Sequence, residues 1–497
     1  MKKNKVLIVY AGREAILPRV PTSLVVLAAY IREHGFEPYL FDTRIDKNIP
    51  WDLSDFLAVG ISSMTVGLKY GIEVVKEIKK KHPNMIFIWG GVHITFFPEQ
   101  SAKSEYVDIV IKSEGEESFL EVLQALQKNK SLDKIKGITY FDKKKQDIVN
   151  NPNREFIDLN KLPFPAYDLI DINKYADKND GFNYETSRGC PNRCTFCYVN
   201  AFHYNKWRAK SVDKVLDEIE KIIKIYKVKK LIFKEDNVFV DKKRVFSIAQ
   251  GFIDRKFNIE WEATVKANYI AYYSDKEMKL LKESGLCQAA IGGESGSERI
   301  LKLIQKDITK EEIKKAVLNC LKADIRPIIA FMIGIPGESE KIDLPKTIEI
   351  FSELKNLVKD PSNMHLAFTI YTPYPGTSLY KEAINLGYKP PKNFEDWTNW
   401  SYNDTDNTPW LSYRLKRKLE TISIIVRFWY YLSMIKHFSK EYQKEKIQFG
   451  FLSKILFKLG IPILKTSAYL RWKTKFFYFP YEWDLFRWYR DIKTEIH

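Results

Sequence analysis

ETSRGCPNRCTFCYVN, residues 185–200, holds three of the five cysteines of a 497-residue chain. The spacing is Cys190-x3-Cys194-x2-Cys197, and the next cysteines, Cys287 and Cys320, are far downstream. A structural zinc site takes four protein ligands, and only three are local here. Cysteine thiolates also hold iron–sulfur clusters. A four-iron cube bound by three thiolates leaves one iron open to chelate a small molecule. Gly189 and Pro191 suit a loop wrapped closely around such a cluster, and Tyr198 is placed to contact whatever the open iron holds. An odd cysteine count with one tight cluster argues against a disulfide framework and for a reducing compartment.

Downstream of the cysteines, apolar runs lead repeatedly into loops: KKLIFKEDNVF (229–239), IEWEATVKA (259–267), CQAAIGGESGS (287–297), IRPIIAFMIGIPGE (325–338) and HLAFTIYTPYPGT (365–377). Helical stretches such as SVDKVLDEIEKIIKIY (211–226) lie between them. Repeated βα units of this kind predict a full or partial barrel with its chemistry at the C-terminal face. Upstream, KVLIVYA (5–11), FEPYLFDT, FLAVGISSMT (56–65), MIFIWGGVHIT (85–95) and the start of VDIVIKSEGEESFLEVLQAL (107–126) read as strands. SLVVLAAYIREHG (23–35) and GIEVVKEIKKKHP read as intervening helices. That alternation predicts a doubly wound parallel sheet with ligand at the strands' C-terminal ends. Residues 136–169 suggest a short hairpin followed by a proline-bearing linker.

At this length the chain holds more than one core. The fold class is α/β: a Rossmann-like doubly wound sheet (1–135), a linker (136–180), a (β/α)6 partial TIM-type barrel (181–385) and a basic, aromatic helical C-terminal region (386–497). The formal charge is +17, and residues 412–497 carry 18 Lys and Arg against 7 Asp and Glu. The tail therefore reads as a solvated helical cap, as a lid over an anionic or apolar substrate, or as helices such as SKILFKLG laid on a membrane surface. The N-terminus lacks the pattern of a signal peptide, and no long uncharged stretch suits a spanning helix. These features predict a cytoplasmic protein, membrane-associated if the tail helices bind lipid.

The cysteine spacing, with an aromatic after the third thiol, resembles the radical S-adenosylmethionine (SAM) superfamily. The resemblance implies a [4Fe–4S] cluster on Cys190, Cys194 and Cys197, with SAM on the open iron. Reductive cleavage of SAM would then give a 5′-deoxyadenosyl radical. It further implies SAM contacts from Tyr198, Glu235, Glu294, Ser295, Gly334 and Ile335, although KEDN (234–237) lacks the family's glycine pair. Cys287 and Cys320, in apolar surroundings, read as inert thiols. The first domain resembles the cobalamin-binding domain of B12-dependent radical SAM enzymes, in PTSLVVLAAYIREHG, GISSMT, WGGVHIT and DIVIKSEGEESF. That resemblance implies cobalamin contacts from Thr22, Ser62, Ser63, Thr65, Gly90, Gly91, His93, Glu114 and Gly115. No Asp-x-His-x-x-Gly motif is present to give cobalt a histidine. The implied activity is C-methylation of an unactivated carbon; the alternative is oxidative cyclisation or rearrangement over a vestigial B12 domain. The implied partners are a small-molecule or lipid-like substrate and a flavodoxin- or ferredoxin-type electron donor. An RNA-binding or scaffold protein with a structural cluster is the rival of another class, and the tail shows no recognised RNA-binding motif.

Overall fold

A computed structural model describes residues 3–13, 18–176, 181–233, 235–400, 405–442, 466–482 and 484. The tail segment SKILFKLG (453–460), most of the second half of the tail and Lys234 lie outside the described residues.

The N-terminal sheet contains β1 (Lys5–Ala11), β2 (Glu37–Asp42), β3 (Phe56–Ser63), β4 (Phe87–Gly90) and β5 (Ile109–Ile111), followed by β6 (Ile138–Asp142) and β7 (Asp147–Asn150). The order is β2-β1-β3-β4-β5-β6-β7. β1 to β5 pair in parallel, and β6 and β7 add an antiparallel hairpin at one edge. Val6 to Val9 are buried on both faces because helices cover the sheet on each side, which explains an unbroken apolar strand. The order reverses between β1 and β3, so the C-terminal ends of these strands open a crevice suited to a ligand. MIFIWGGVHIT is not strand throughout. β4 stops at Gly90, Gly91 takes φ +108°, and Val92–Phe96 is a helical turn.

The central sheet contains β8 (Phe182–Tyr184), β11 (Lys230–Phe233), β12 (Glu260–Val265), β13 (Leu286–Glu294), β14 (Arg326–Ile333) and β15 (His365–Ile370). They pair in parallel in the order β15-β14-β13-β12-β11-β8, an open six-stranded barrel. A two-stranded antiparallel ribbon, β9 (Ser187–Arg188) with β10 (Arg208–Ala209), flanks the cysteine segment. Helices return between the strands with local start signals. Ser211 caps Val212–Tyr226, and Ser274/Glu277 and Thr309/Glu312 form capping boxes. Trp261, Phe233, Phe331 and Phe368 fill the barrel core.

The described part of the tail packs on the two sheets. Phe394, Trp397 and Trp400 are buried against the N-terminal sheet, with Phe394 edge-on to Trp89 at 5.3 Å. Trp397 Nε1 donates to Gln100 Oε1 at 2.9 Å. Helix Tyr413–Tyr442 packs on edge strand β15, where Ser423 Oγ donates to the Phe368 carbonyl and Ile422 and Ile424–Val426 enter the barrel core. An exposed strand edge is thereby covered. The tail ties the two sheets together, which its composition alone does not show. Among the described residues no helix is long and apolar enough to cross a membrane.

Candidate active site

A cavity of about 360 Å³ lies between the two sheets. The N-terminal domain contributes the strand ends: Tyr10 from β1, Ser62 and Ser63 from β3, Gly90 and Gly91 after β4, and Ser113 to Glu116 after β5. The barrel side contributes Glu185, Arg188, Tyr198, His203, Glu235 and Asp236. The crevice predicted from strand order is therefore closed by the segments that flank the cysteine loop of the other domain.

The cysteine loop is built by unusual backbone. Gly189 has φ +83°, and an added Cβ would overlap the Lys206 carbonyl oxygen. Its N–H donates to Asp236 Oδ2 at 3.1 Å, which ties the loop to the end of β11. Thr195 bridges two elements: its N–H donates to the Ile304 carbonyl, and its carbonyl accepts from Leu379 N–H. Asn192 Nδ2 donates to Cys190 Sγ at 3.1 Å, and Lys266 Nζ donates to Asn192 Oδ1 at 3.0 Å. Burial pushes the Cys197 thiol up to about 12 and the Cys194 thiol upward. Burial outweighs the nearby Lys306 and Lys266 and favours the protonated thiol; bound iron would hold these groups as thiolates. Among the described residues no group of three or more His, Cys, Asp or Glu side chains is already gathered about a metal site. The donor chemistry fits a polynuclear iron–sulfur cluster on Cys190, Cys194 and Cys197. Cys320 is fully buried among apolar groups, and Cys287 donates to the Trp261 carbonyl, both away from the loop.

The residues assigned to SAM fall into two groups. Tyr198 and Glu235 face the cavity. Tyr198 stacks on Tyr374 at 6.0 Å. Glu235 accepts from Thr186 Oγ1 and from Ser187 Oγ, and burial lifts its carboxyl to about 7. Asp236, missed by the sequence reading, lines the same wall and is lifted by burial to about 6. The others lie outside the cavity wall. Glu294 has φ +56° and an ion pair to Lys306 at 2.7 Å. Ser295 is fully buried and bonds Thr347 Oγ1 at 3.0 Å. The N–H groups of Gly334 and Ile335 both donate to Glu338.

Of the residues assigned to cobalamin, Ser62, Ser63, Gly90, Gly91, Glu114 and Gly115 line the cavity. Thr22, Thr65 and His93 do not. Thr22 opens helix Thr22–Glu33, and it is the next residue, Ser23, that reaches the wall. His93 points the other way because Val92–Phe96 is helical. Its ring is fully buried among Phe97, Phe394 and Trp397, and its Nδ1 meets Thr65 Oγ1 at 3.2 Å. It is core, not a cobalt ligand. Burial lowers its pKa to about 3. The unfolded chain takes up that proton below about pH 6.5 and the folded chain does not, so stability falls with pH from 6.5 towards 3. Between pH 6.5 and 5 the loss from this residue should be about 2 kcal/mol. Denaturant titrations at the two pH values should show that His93→Phe removes this part of the slope.

Gly91 makes the crevice possible. At φ +108° an added Cβ would sit 2.5 Å from the Ser63 carbonyl oxygen. A glycine cradle between strand ends lets a flat ligand approach the backbone, so these residues fit a corrinoid. Gly91→Ala should reduce bound corrinoid about ten-fold or more, since a clash of that kind exceeds 1.4 kcal/mol, while iron content stays at the wild-type value.

Glycine-bearing strand ends facing the flanks of a three-cysteine loop across one cavity define a site between the two domains. Comparisons with known proteins give its family. The radical SAM superfamily model matches residues 184–349, and the B12 binding domain model matches residues 18–123. An uncharacterised methyltransferase of Pyrococcus horikoshii is 31% identical over 480 residues, covering 92% of this chain and 95% of that protein. Cytidylyl-2-hydroxyethylphosphonate methyltransferase of Streptomyces wedmorensis is 25% identical, over 76% of this chain and 80% of that protein. The anaerobic magnesium-protoporphyrin IX monomethyl ester cyclase of Rubrivivax gelatinosus is 22% identical, over 73% of this chain and 66% of that protein. Among solved structures, the cobalamin-dependent SAM radical enzyme OxsB with aqua-cobalamin and SAM bound superposes with a TM-score of 0.70 at 19% identity, covering 94% of this chain and 72% of that one. The radical SAM methyltransferase TsrM of Kitasatospora setae gives 0.63 at 16% identity, covering 78% and 77%. The chain belongs to the radical SAM superfamily, in a methyltransferase family that carries a B12-binding domain. It is a radical SAM enzyme, and its cofactors are a [4Fe–4S] cluster, SAM and cobalamin.

Proposed function

We propose that this enzyme methylates an unactivated carbon of a small molecule held in the cavity between its two domains. The observation that carries the reading is the cavity itself. Strand ends of the B12-binding sheet face, across one space, the barrel residues that flank the cysteine loop: Glu185, Ser187 and Arg188 before it and Tyr198, Phe202 and His203 after it. The bound cofactors would supply a 5′-deoxyadenosyl radical from SAM and a transferable methyl group from cobalamin. The protein's part is placement and exclusion of water, because an organic radical reacts with whatever it meets. Ile8, Leu24, Leu27, Ile111 and Phe119 make much of the wall apolar on the B12 side. On the barrel side, Tyr198 is the SAM contact, and Glu235, whose oxygens are taken by Thr186 and Ser187, holds the wall beside it. Glu294, Ser295, Gly334 and Ile335 serve the same ligand by holding the loops after β13 and β14 in shape. The flavodoxin- or ferredoxin-type donor would approach near Arg193, whose side chain is 68% exposed beside the cluster loop.

The cyclase relative supports a second reading, radical cyclisation without methyl transfer. Product stoichiometry separates the two. The anaerobically purified protein, loaded with cobalamin and reduced, is given SAM and its products are quantified. Radical methylation consumes two SAM molecules, so 5′-deoxyadenosine and S-adenosylhomocysteine should both appear. A cyclase gives 5′-deoxyadenosine alone, and that result would exclude the methylation reading. With neither product, both readings fail.

A further inference from the structure

Arg188 stands two residues before Cys190, and its side chain is 9% exposed. Its guanidinium meets three carboxylates: Glu116 at 2.8 Å, Glu185 at 2.8 Å and Glu114 at 3.5 Å. Glu114 and Glu116 belong to the other domain, in the turn between β5 and helix Glu116–Gln127. Glu114 is also gripped by Arg208, with Nη2 to Oε1 at 2.6 Å and Nη1 to Oε2 at 3.0 Å. Arg208 lies on β10 directly opposite Arg188 on β9. Two arginines facing each other across a two-stranded ribbon repel. Glu185 offsets part of the charge on Arg188 from its own segment, and the acidic turn supplies the counter-charge shared by both arginines. The ribbon therefore works as a clamp whose jaws are two arginines and whose load is Glu114–Glu116.

Stability alone is a poor reason for this clamp, since buried ion pairs seldom outperform apolar packing. What directional, bidentate pairs provide is register. The clamped turn carries one wall of the cobalamin crevice, and the ribbon leads through Gly189 directly into Cys190. We propose that Arg188, with Arg208, is a positioning residue that holds the B12-binding domain at a set distance and orientation from the cluster loop. This proposal rests on the two-cofactor reading above. Arg188 would touch neither reacting group; it acts through Glu114 and Glu116.

The test has two readouts that iron or corrinoid binding alone would not move. The first is hydrogen exchange on the cofactor-free chain. Arg188→Gln should speed exchange of residues 112–119 about ten-fold or more, because the turn loses its partner, with β12 to β14 unchanged. The second is electron paramagnetic resonance of the reduced holoenzyme, in which the magnetic interaction between the cluster and paramagnetic cobalt reports their separation. The interaction should weaken or spread in Arg188→Gln and be partly restored in Arg188→Lys, while four irons and the corrinoid are retained. Glu116→Gln removes the same ion pair from the other side and should repeat the result if Arg188→Gln folds poorly. Wild-type exchange and a wild-type interaction in these variants would overturn the proposal. A wild-type protein that binds no corrinoid would instead overturn the cofactor reading, and the exchange experiment would still decide the clamp.

Discussion

Replacing Cys190, Cys194 or Cys197 singly with Ala should abolish the cluster's charge-transfer absorbance and all 5′-deoxyadenosine formation. The three thiols share one short loop; Cys320 is sealed in the barrel core and Cys287 is bonded to the Trp261 carbonyl. A cube held by two thiolates has two open irons and no fixed place for SAM. Cys320→Ser and Cys287→Ser should keep the wild-type iron content. Iron and acid-labile sulfide per chain, measured anaerobically beside the rate of SAM cleavage, check all five. A Cys→Ala variant on the loop that still cleaves SAM would remove that thiol from the ligand set, and loss of iron in Cys320→Ser would add a ligand the structure does not show.

Gly189→Ala should be nearly as damaging, although it deletes no ligand. The φ of +83° alone costs a Cβ-bearing residue about 1–2 kcal/mol, and the overlap with the Lys206 carbonyl adds to that. The nearest release is to rotate the peptide, which breaks the N–H bond to Asp236 and swings Cys190 away from its partners. Iron content should fall at least several-fold and SAM cleavage with it, while the B12-binding sheet, which this residue does not touch, keeps its corrinoid. Wild-type iron in Gly189→Ala would mean that the loop has more freedom than its packing implies. Paired with Gly91→Ala, which should lose corrinoid and keep iron, the substitution separates the two cofactor sites by glycine geometry alone.

Much of the site was legible because its chemistry is local in sequence. Three cysteines in one short loop need no long-range contact to suggest a cluster. The apolar strands of both sheets declare themselves by unbroken β-branched runs, because parallel strands are buried on both faces. Ser62, Ser63, Gly90, Gly91, Glu114 and Gly115, singled out by resemblance, line the cavity at strand ends, where open α/β sheets place ligands. His93 shows where such reasoning stops. It sits two residues after Gly91, yet the helical turn begun by that glycine sends its ring into the core against Phe394 and Trp397, roughly three hundred positions away in the chain. Glu235 and Asp236 show the same limit: adjacent in sequence, one spends its oxygens on Thr186 and Ser187, the other anchors the cysteine loop.

By itself the sequence determined the α/β architecture and the family and singled out the three thiols of one loop, since each depends on period, spacing or a short motif. Only the tertiary structure decided that strand ends of one domain and the flanks of the cysteine loop of the other line one cavity, that the aromatic tail packs on both sheets, and that Arg188 and Arg208 grip Glu114 and Glu116. Those contacts join residues tens to hundreds of positions apart, and burial with opposite charge selects such partners only once the backbone has brought them together.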